Sequence, residues 1–313
     1  MAFPLASPIR AGMGFALVPP EVLIFRQIFG GSMTTFYKRT ATSLYAVATI
    51  AACSLGTSSF AQSTPAAAPE AAAPGPFTAN LTLVNDYRYR GISQSNFQPA
   101  IQGGFDYAHS SGFYIGNWNS SISWISDAAS TLDNNASAPI EMDFYAGFKH
   151  EWSKGFAADV GVLQYYYPTS NLSAFSTNPN TTELYIAQNF TFNAFTGYVK
   201  FSYAVTPLFG TINSAGSNYT DLTVNYDTGV WGLSLNGHVG YQAVAGRIAD
   251  GSVSNASLFS YTDWKLGVTK DFGSGFAGAV AYVGTNAKNG AYMNPNAQNL
   301  GKAGFLISLT KTF

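Results

Sequence analysis

From residue 77 to its last residue the chain keeps a period of two, and this alternation limits its fold more than any motif does. In the first run Ala79, Leu81, Leu83, Tyr87 and Tyr89 fall on one face of an extended chain; Thr78, Asn80, Thr82, Asp86, Arg88 and Arg90 fall on the other. A helix would scatter the two sets around its circumference, whereas a strand separates them. The separation recurs along the chain. Ile101, Phe105 and Tyr107 oppose Gln102 and Asp106; Tyr114, Trp118, Ile122 and Trp124 oppose Asn117, Asn119, Ser121 and Ser123. Ile140, Met142, Phe144, Ala146 and Phe148 oppose Glu141, Asp143, Tyr145 and Lys149. Later runs set Val160 against Asp159, Leu184 against Glu183, Val199 against Lys200, Leu222 against Asp221, Leu233 against Asn236 and His238, and Trp264 against Asp263 and Lys265. The run near 276–283 is apolar on both faces, and the final run sets Phe305, Ile307, Leu309 and Phe313 against Ser308, Thr310 and Thr312.

The runs number about twelve, with ten or fourteen as alternatives, and the segments joining them alternate in length. Short turns fall near residues 110–111, 153–155, 193–194, 228–229 and 273–275, with longer segments near 91–98, 126–138, 168–180, 206–217, 243–259 and 285–302 between them. A soluble sandwich has no reason to keep that alternation; an outer-membrane barrel, with short periplasmic turns and longer external loops, does. The expected fold is therefore all-β: a single transmembrane antiparallel barrel over residues 77–313, with both ends on the periplasmic side. Composition agrees. Charged residues make up 10% of the chain and aromatics 15%, and no unbroken apolar run of spanning-helix length follows residue 62. A Lys at mid-membrane on the lipid face costs about 2–4 kcal/mol. Only Lys270, Lys311 and His150 take the lipid phase, and all lie near short turns.

Ahead of the strands, Lys38 and Arg39 precede an apolar, Ala-rich stretch at 44–55, then Ser59-Phe60-Ala61. A charged region, an apolar core and a small-x-small site make a signal peptide over 33–61, cleaved after Ala61. Residues 1–32 read as an over-extended start, and the Ala/Pro-rich residues 62–76 as an exposed linker. Cys53, the one cysteine, lies in the leader, where it could also serve as a lipidation site. Beyond residue 62 there are eleven Lys and Arg against fifteen Asp and Glu, a formal charge of −4. No basic run points to nucleic acid.

The segment 80–121 carries a family resemblance. Its elements are Asp86-Tyr87-Arg88-Tyr89-Arg90-Gly91-Ile92-Ser93-Gln94, Pro99-Ala100, Gly103-Gly104-Phe105-Asp106-Tyr107 and Gly112-Phe113-Tyr114. Glu141-Met142-Asp143, Asp159-Val160-Gly161 and Thr182-Glu183-Leu184-Tyr185 extend it. The chain resembles the TorF-type family of proteobacterial porin-like proteins, a conserved family of unknown function. The resemblance implies a porin-like barrel in the outer membrane of a Gram-negative bacterium; it brings no established substrate and no catalytic residues. The terminal Phe313, with apolar residues at alternate positions before it, looks like the signal read by the barrel-assembly machinery, Lys311 being a departure from it.

Thirteen charged residues take the lumenal phase: Asp86, Arg88, Arg90, Asp106, Glu141, Asp143, Lys149, Asp159, Glu183, Lys200, Asp221, Asp263 and Lys265. They can form a constriction that selects solutes, or ion pairs that brace a narrow barrel. Of the three histidines only His238 lies inside a strand; no GxSxG motif accompanies it, and no metal-ligand spacing is present. The expectation is a channel for passive diffusion of small hydrophilic solutes, with no cofactor and no metal. A structural or adhesive barrel with a plugged lumen and a lipid-modifying enzyme are the alternatives. Its partners would be outer-membrane lipid and small polar solutes; self-association as a homo-oligomer stays open.

Overall fold

The computed structural model describes residues 76–130, 137–169 and 177–313. The expected leader with Cys53, and nearly all of the expected linker, lie outside them. In chain order the strands are β1 (Phe77–Val84), β2 (Arg88–Tyr89), β3 (Ile92–Ser93), β4 (Ala100–Ala108), β5 (Phe113–Ser121), β6 (Ile140–Ser153) and β7 (Phe156–Tyr166). There follow β8 (Thr181–Phe192), β9 (Phe195–Ala204), β10 (Asn218–Asp227), β11 (Leu233–Ala243), β12 (Tyr261–Gly273), β13 (Phe276–Thr285) and β14 (Gly304–Thr312). All but β2 and β3 join one closed antiparallel barrel of twelve strands. β1 pairs directly with β4, and β1 against β14 closes the ring, with Asn80 opposite Thr312 and Val84 opposite Ser308. Closure removes the free sheet edges, whose unpaired N–H and C=O groups could not be satisfied in hydrocarbon.

The alternation sorts the wall into two faces. Leu81, Ile101, Val160, Leu184, Leu235, Leu266 and Ile307 point outward and are exposed, Leu266 to 68%. Aromatic rings ring both ends of this apolar band. Phe195 and Tyr226 pack at 4.8 Å at the short-turn end, and Tyr282 and Phe305 at 5.0 Å at the long-loop end. An apolar exterior this extensive flanked by aromatic girdles is the surface of a barrel that spans a lipid bilayer. Lys311 and Lys270 escape the band at the short-turn end. Lys311 donates to the Ser274 carbonyl between the Phe276 and Phe313 rings, and Lys270 to the Trp231 carbonyl. Their stems lie on apolar surface and their charges at its edge.

The short connections all emerge at one end and the long ones at the other. Two long loops carry helices that the alternation does not announce, α1 (Trp124–Ser130) and α2 (Asn255–Phe259).

Two faces differ from the sequence reading. First, β1 ends at Val84, so residues 86–90 do not continue it; Tyr87 and Tyr89, expected toward lipid, turn inward with Arg90, while Asp86 and Arg88, expected in the lumen, pair at the hairpin's base beside the residues before β14. Second, β5 has the opposite phase. Phe113 and Ile115 face out, while Tyr114 and Trp118 face in, Trp118 opposite Asp143. Asn117 and Asn119, expected to face the lumen, take the outward phase. Their amide nitrogens are bonded locally, Asn117 Nδ2 donating to the Asp143 carbonyl and Asn119 Nδ2 to Asn117 Oδ1, while Asn119 Oδ1 is buried without a partner. Tyr and Trp carry both an apolar body and a polar tip, so either face accepts them; inside, Tyr114 finds Asp159 and Trp118 packs against Tyr87. Ile122 and Trp124 lie past the end of β5.

Candidate functional site

The chain leaves the wall at Asn85. Its backbone N–H donates to the Ile307 carbonyl, and its side chain accepts from the Ile307 N–H and donates to the Phe305 carbonyl, so one residue seals the β1–β14 seam where the strand ends. The following residues fold inward as a hairpin, with Arg88 opposite Ser93 and Tyr89 opposite Ile92. Arg90 and Gly91 form its two-residue turn at φ +46° and +77°. Positive φ at both positions matches the strand twist of a tight hairpin. Gly91 also lies so close to β12 that a Cβ there would fall 2.8 Å from Asp263 Cβ. Asp86 ties the base together, pairing with Arg88 Nε and accepting from Ser93 Oγ at 2.6 Å.

From this base the hairpin reaches across the barrel. Arg90 donates to Glu183 on β8 at 2.7 Å and to Gln242 on β11 at 2.6 Å, and its guanidinium lies 4.2 Å from the ring centre of Tyr219 on β10. Around the ring of twelve strands these surround β9, the strand opposite β1. Tyr87 donates to Glu141 on β6 at 2.5 Å and packs edge-on against Trp118 on β5. Tyr89 bonds Tyr165 on β7 and packs against Phe209 of the loop after β9. Arg88 turns the other way, to the carbonyls of Leu300 and Lys302 before β14. The hairpin is thus fastened around its whole perimeter.

The remaining predicted residues sit on the inner wall. Carboxylates there draw most of their donors from tyrosines. Asp106 accepts from Tyr145 at 2.6 Å, Asp159 from Tyr114 at 2.6 Å, and Asp263 from Tyr219 at 2.9 Å; Glu141 accepts a second bond, from Tyr167, at 2.7 Å. Lys200 stands opposite Asp221 on β9 and β10, over the Tyr185 ring; Lys265 stands opposite His238. Lys149 stands opposite Asp159 nearer the short-turn end and is exposed. His238 bridges Asp221 at 3.0 Å and Asp263 at 2.8 Å. The Thr223 hydroxyl lies 3.1 Å from its Nδ1 and the Tyr219 hydroxyl 3.2 Å from its Nε2, so His238 joins the polar groups of β10, β11 and β12. Asp143 Oδ1 and Glu183 Oε1 are buried without a protein partner, which in a wet lumen is a place for water.

Burial divides the lumen in two. At the hairpin's level Glu141, Glu183 and Asp263 are each 1% exposed. Toward the short turns, inward Asn80, Asp106, Thr223, Asn225, Asn236, Thr269 and Ser308 remain partly exposed. The inner face of β13 there is Ala277, Ala279 and Ala281, which leaves room beside it. The arrangement is a polar, partly exposed half-lumen with a packed cross-bar above it.

The sequence reading placed Tyr145 on the inner face but missed the tyrosines as partners of the acids, together with Gln242 and the part His238 plays. A signal existed: Asp143/Tyr145, Glu183/Tyr185, Tyr219/Asp221 and Tyr261/Asp263 each set an acid and a tyrosine two residues apart, hence on the same inner face.

The fold is similar to that of several solved porins. The KdgM porin superposes with a TM-score of 0.45 at 6% identity, over 75% of this chain and 99% of that one. The NanC porin gives 0.48 at 8%, over 75% and 98%. The outer membrane protein OprD from Pseudomonas aeruginosa gives 0.36 at 12%, over 72% and 61%. At these values the likeness carries no argument about function. Comparison with curated proteins finds no match. One family model does match, over residues 68–313, which is the whole barrel and the end of the linker. The chain therefore belongs to the Gcw_chp family of bacterial proteins of unknown function.

Proposed function

We propose that the protein is a porin-like channel of the Gram-negative outer membrane, passing small hydrophilic solutes by diffusion, with the β2–β3 hairpin narrowing it at rest. The observation that carries the reading is the polar half-lumen below the hairpin, which a barrel built only as a staple would fill. The TorF-type likeness of residues 80–121 supports the same reading, with the long loops outside and Phe313 presented to the assembly machinery. Inward acids outnumber inward bases, so the channel prefers cations mildly, and equal sodium and chloride permeability would count against that preference. The packed cross-bar favours a second reading, a structural or adhesive barrel. Liposome swelling separates the two. The channel admits urea and glycerol readily and disaccharides poorly, and its size limit rises when the hairpin is shortened. Refolded protein that admits none of these, with the hairpin intact or shortened, supports the plugged barrel instead.

A further inference from the structure

A second cavity, of about 380 Å³, opens outward at the long-loop end of the β1–β14 seam. It lies within the size range of small-molecule sites. Arg88 and Lys302 both border it, beside the Phe97 ring: the guanidinium carbon lies 5.2 Å from that ring's centre and the ammonium 4.5 Å. The Arg88 side chain is 96% buried by its 4% exposure, with Nε and Nη1 taken by Asp86 and three backbone carbonyls. Nη2 has no acceptor among the described residues, and neither does Lys302 Nζ. Asp86, which also borders the cavity, already pairs with the guanidinium at Nε, and Nη2 is left for a further acceptor that enters the cavity.

The backbone at the site is strained in a way the hairpin does not need. Asn96 and Phe97 both adopt left-handed φ, +53° and +60°, an uncommon conformation for Asn and an outlier for a residue as bulky as Phe. Asn294 holds Asn96 through a 2.6 Å bond and Ser93 Oγ holds the Phe97 N–H at 2.9 Å. Such strain persists where the surroundings enforce it, and it gathers at ligand sites. Here it sets Phe97 against both cations and places the side-chain amides of Gln98 and Asn296, which have no protein partner among the described residues, on the rim. Outward-facing Phe305, 67% exposed, forms the membrane-side edge.

We infer that this cavity binds an anionic sugar, its phosphate or carboxylate held by Arg88 Nη2 and Lys302 Nζ and its hydroxyls by the rim amides. Charge-assisted bonds to an anion are the strong ones, and neutral amides suit a polyhydroxylated ring. The same chemistry is offered by a phosphorylated glycolipid of the surrounding leaflet and by a free sugar phosphate.

The test uses the full barrel in nanodiscs of zwitterionic lipid, titrated either with a diphosphorylated glycolipid incorporated in the disc or with soluble glucosamine 1-phosphate. Saturable binding is expected. Lys302→Glu weakens it tenfold or more, while Lys288→Glu, an equal charge change on the same loop but away from the cavity, weakens it less than twofold. Arg88→Gln also abolishes binding, but it alters the hairpin base, so Lys302→Glu, at an exposed position, is the decisive variant. Binding of the glycolipid alone assigns the site to a membrane-borne headgroup, and binding of both assigns it to the headgroup in either form. No saturable binding of either probe, or equal losses in the Lys302→Glu and Lys288→Glu proteins, overturns the inference. None of these readouts depends on whether the barrel conducts.

Discussion

Arg90 is the residue on which the hairpin's position turns. Its side chain is 6% exposed and that of Glu183 is 1% exposed, so neither charge has ready recourse to bulk water. Removing one member of such a pair strands the other, typically at about 3–5 kcal/mol, whereas replacing both is far milder. Arg90→Gln is therefore expected to destabilise the docked hairpin strongly, and Arg90→Gln with Glu183→Gln to cost less than the sum of the two single changes. Urea unfolding of the four proteins in micelles gives the coupling, expected at roughly 1–3 kcal/mol for residues in direct contact; strictly additive effects would show that Arg90 and Glu183 do not act together. In the sequence Arg90 looks like one more alternating polar residue. What distinguishes it is the glycine after it: Arg90-Gly91 is a two-residue turn between short runs, and such a turn ends one strand and begins a hairpin.

At the scale of elements, the strands were legible because lipid outside and water inside impose opposite demands at successive residues. All twelve wall strands and their alternating connections follow from that rule. Phase was legible where the outward residue is aliphatic, as at Leu184 or Leu266, and failed in β5, where aromatic residues occupy both faces. The helices α1 and α2 left no period-two trace, and their burial against the barrel mouth is tertiary: Ile125 and Ala129 are fully buried. The face assignment makes a prediction of its own. Leu266 lies midway along β12, and Phe272 near its short-turn end, both outward and exposed. Leu266→Lys should cost about 2–4 kcal/mol in a bilayer and Phe272→Lys about 0–1, read from denaturant unfolding in liposomes. Equal costs would mean that β12 does not cross the bilayer at the depth described.

At the scale of the molecule, barrel and cross-bar are separate inventions in one chain. The wall needs only alternation and closure. The cross-bar needs named partners on many strands: Glu141 on β6, Tyr165 on β7, Glu183 on β8, Tyr219 on β10 and Gln242 on β11. Those partners are scattered over more than a hundred residues of sequence, and no local pattern reveals that one hairpin gathers them. This is why inward charges could be recognised in the sequence while the choice between bracing and constriction could not: the structure uses Glu141 and Glu183 to hold the hairpin and leaves Asp106 and Lys149 in the more open part. Single-channel recording in planar bilayers tests this most directly, comparing the intact barrel with one in which residues 86–95 are replaced by a short Gly/Ser link. A small or infrequent conductance in the intact protein and a several-fold larger, persistently open one after replacement are the predicted result. Identical conductance in the two, or silence from both despite a folded barrel, would contradict it.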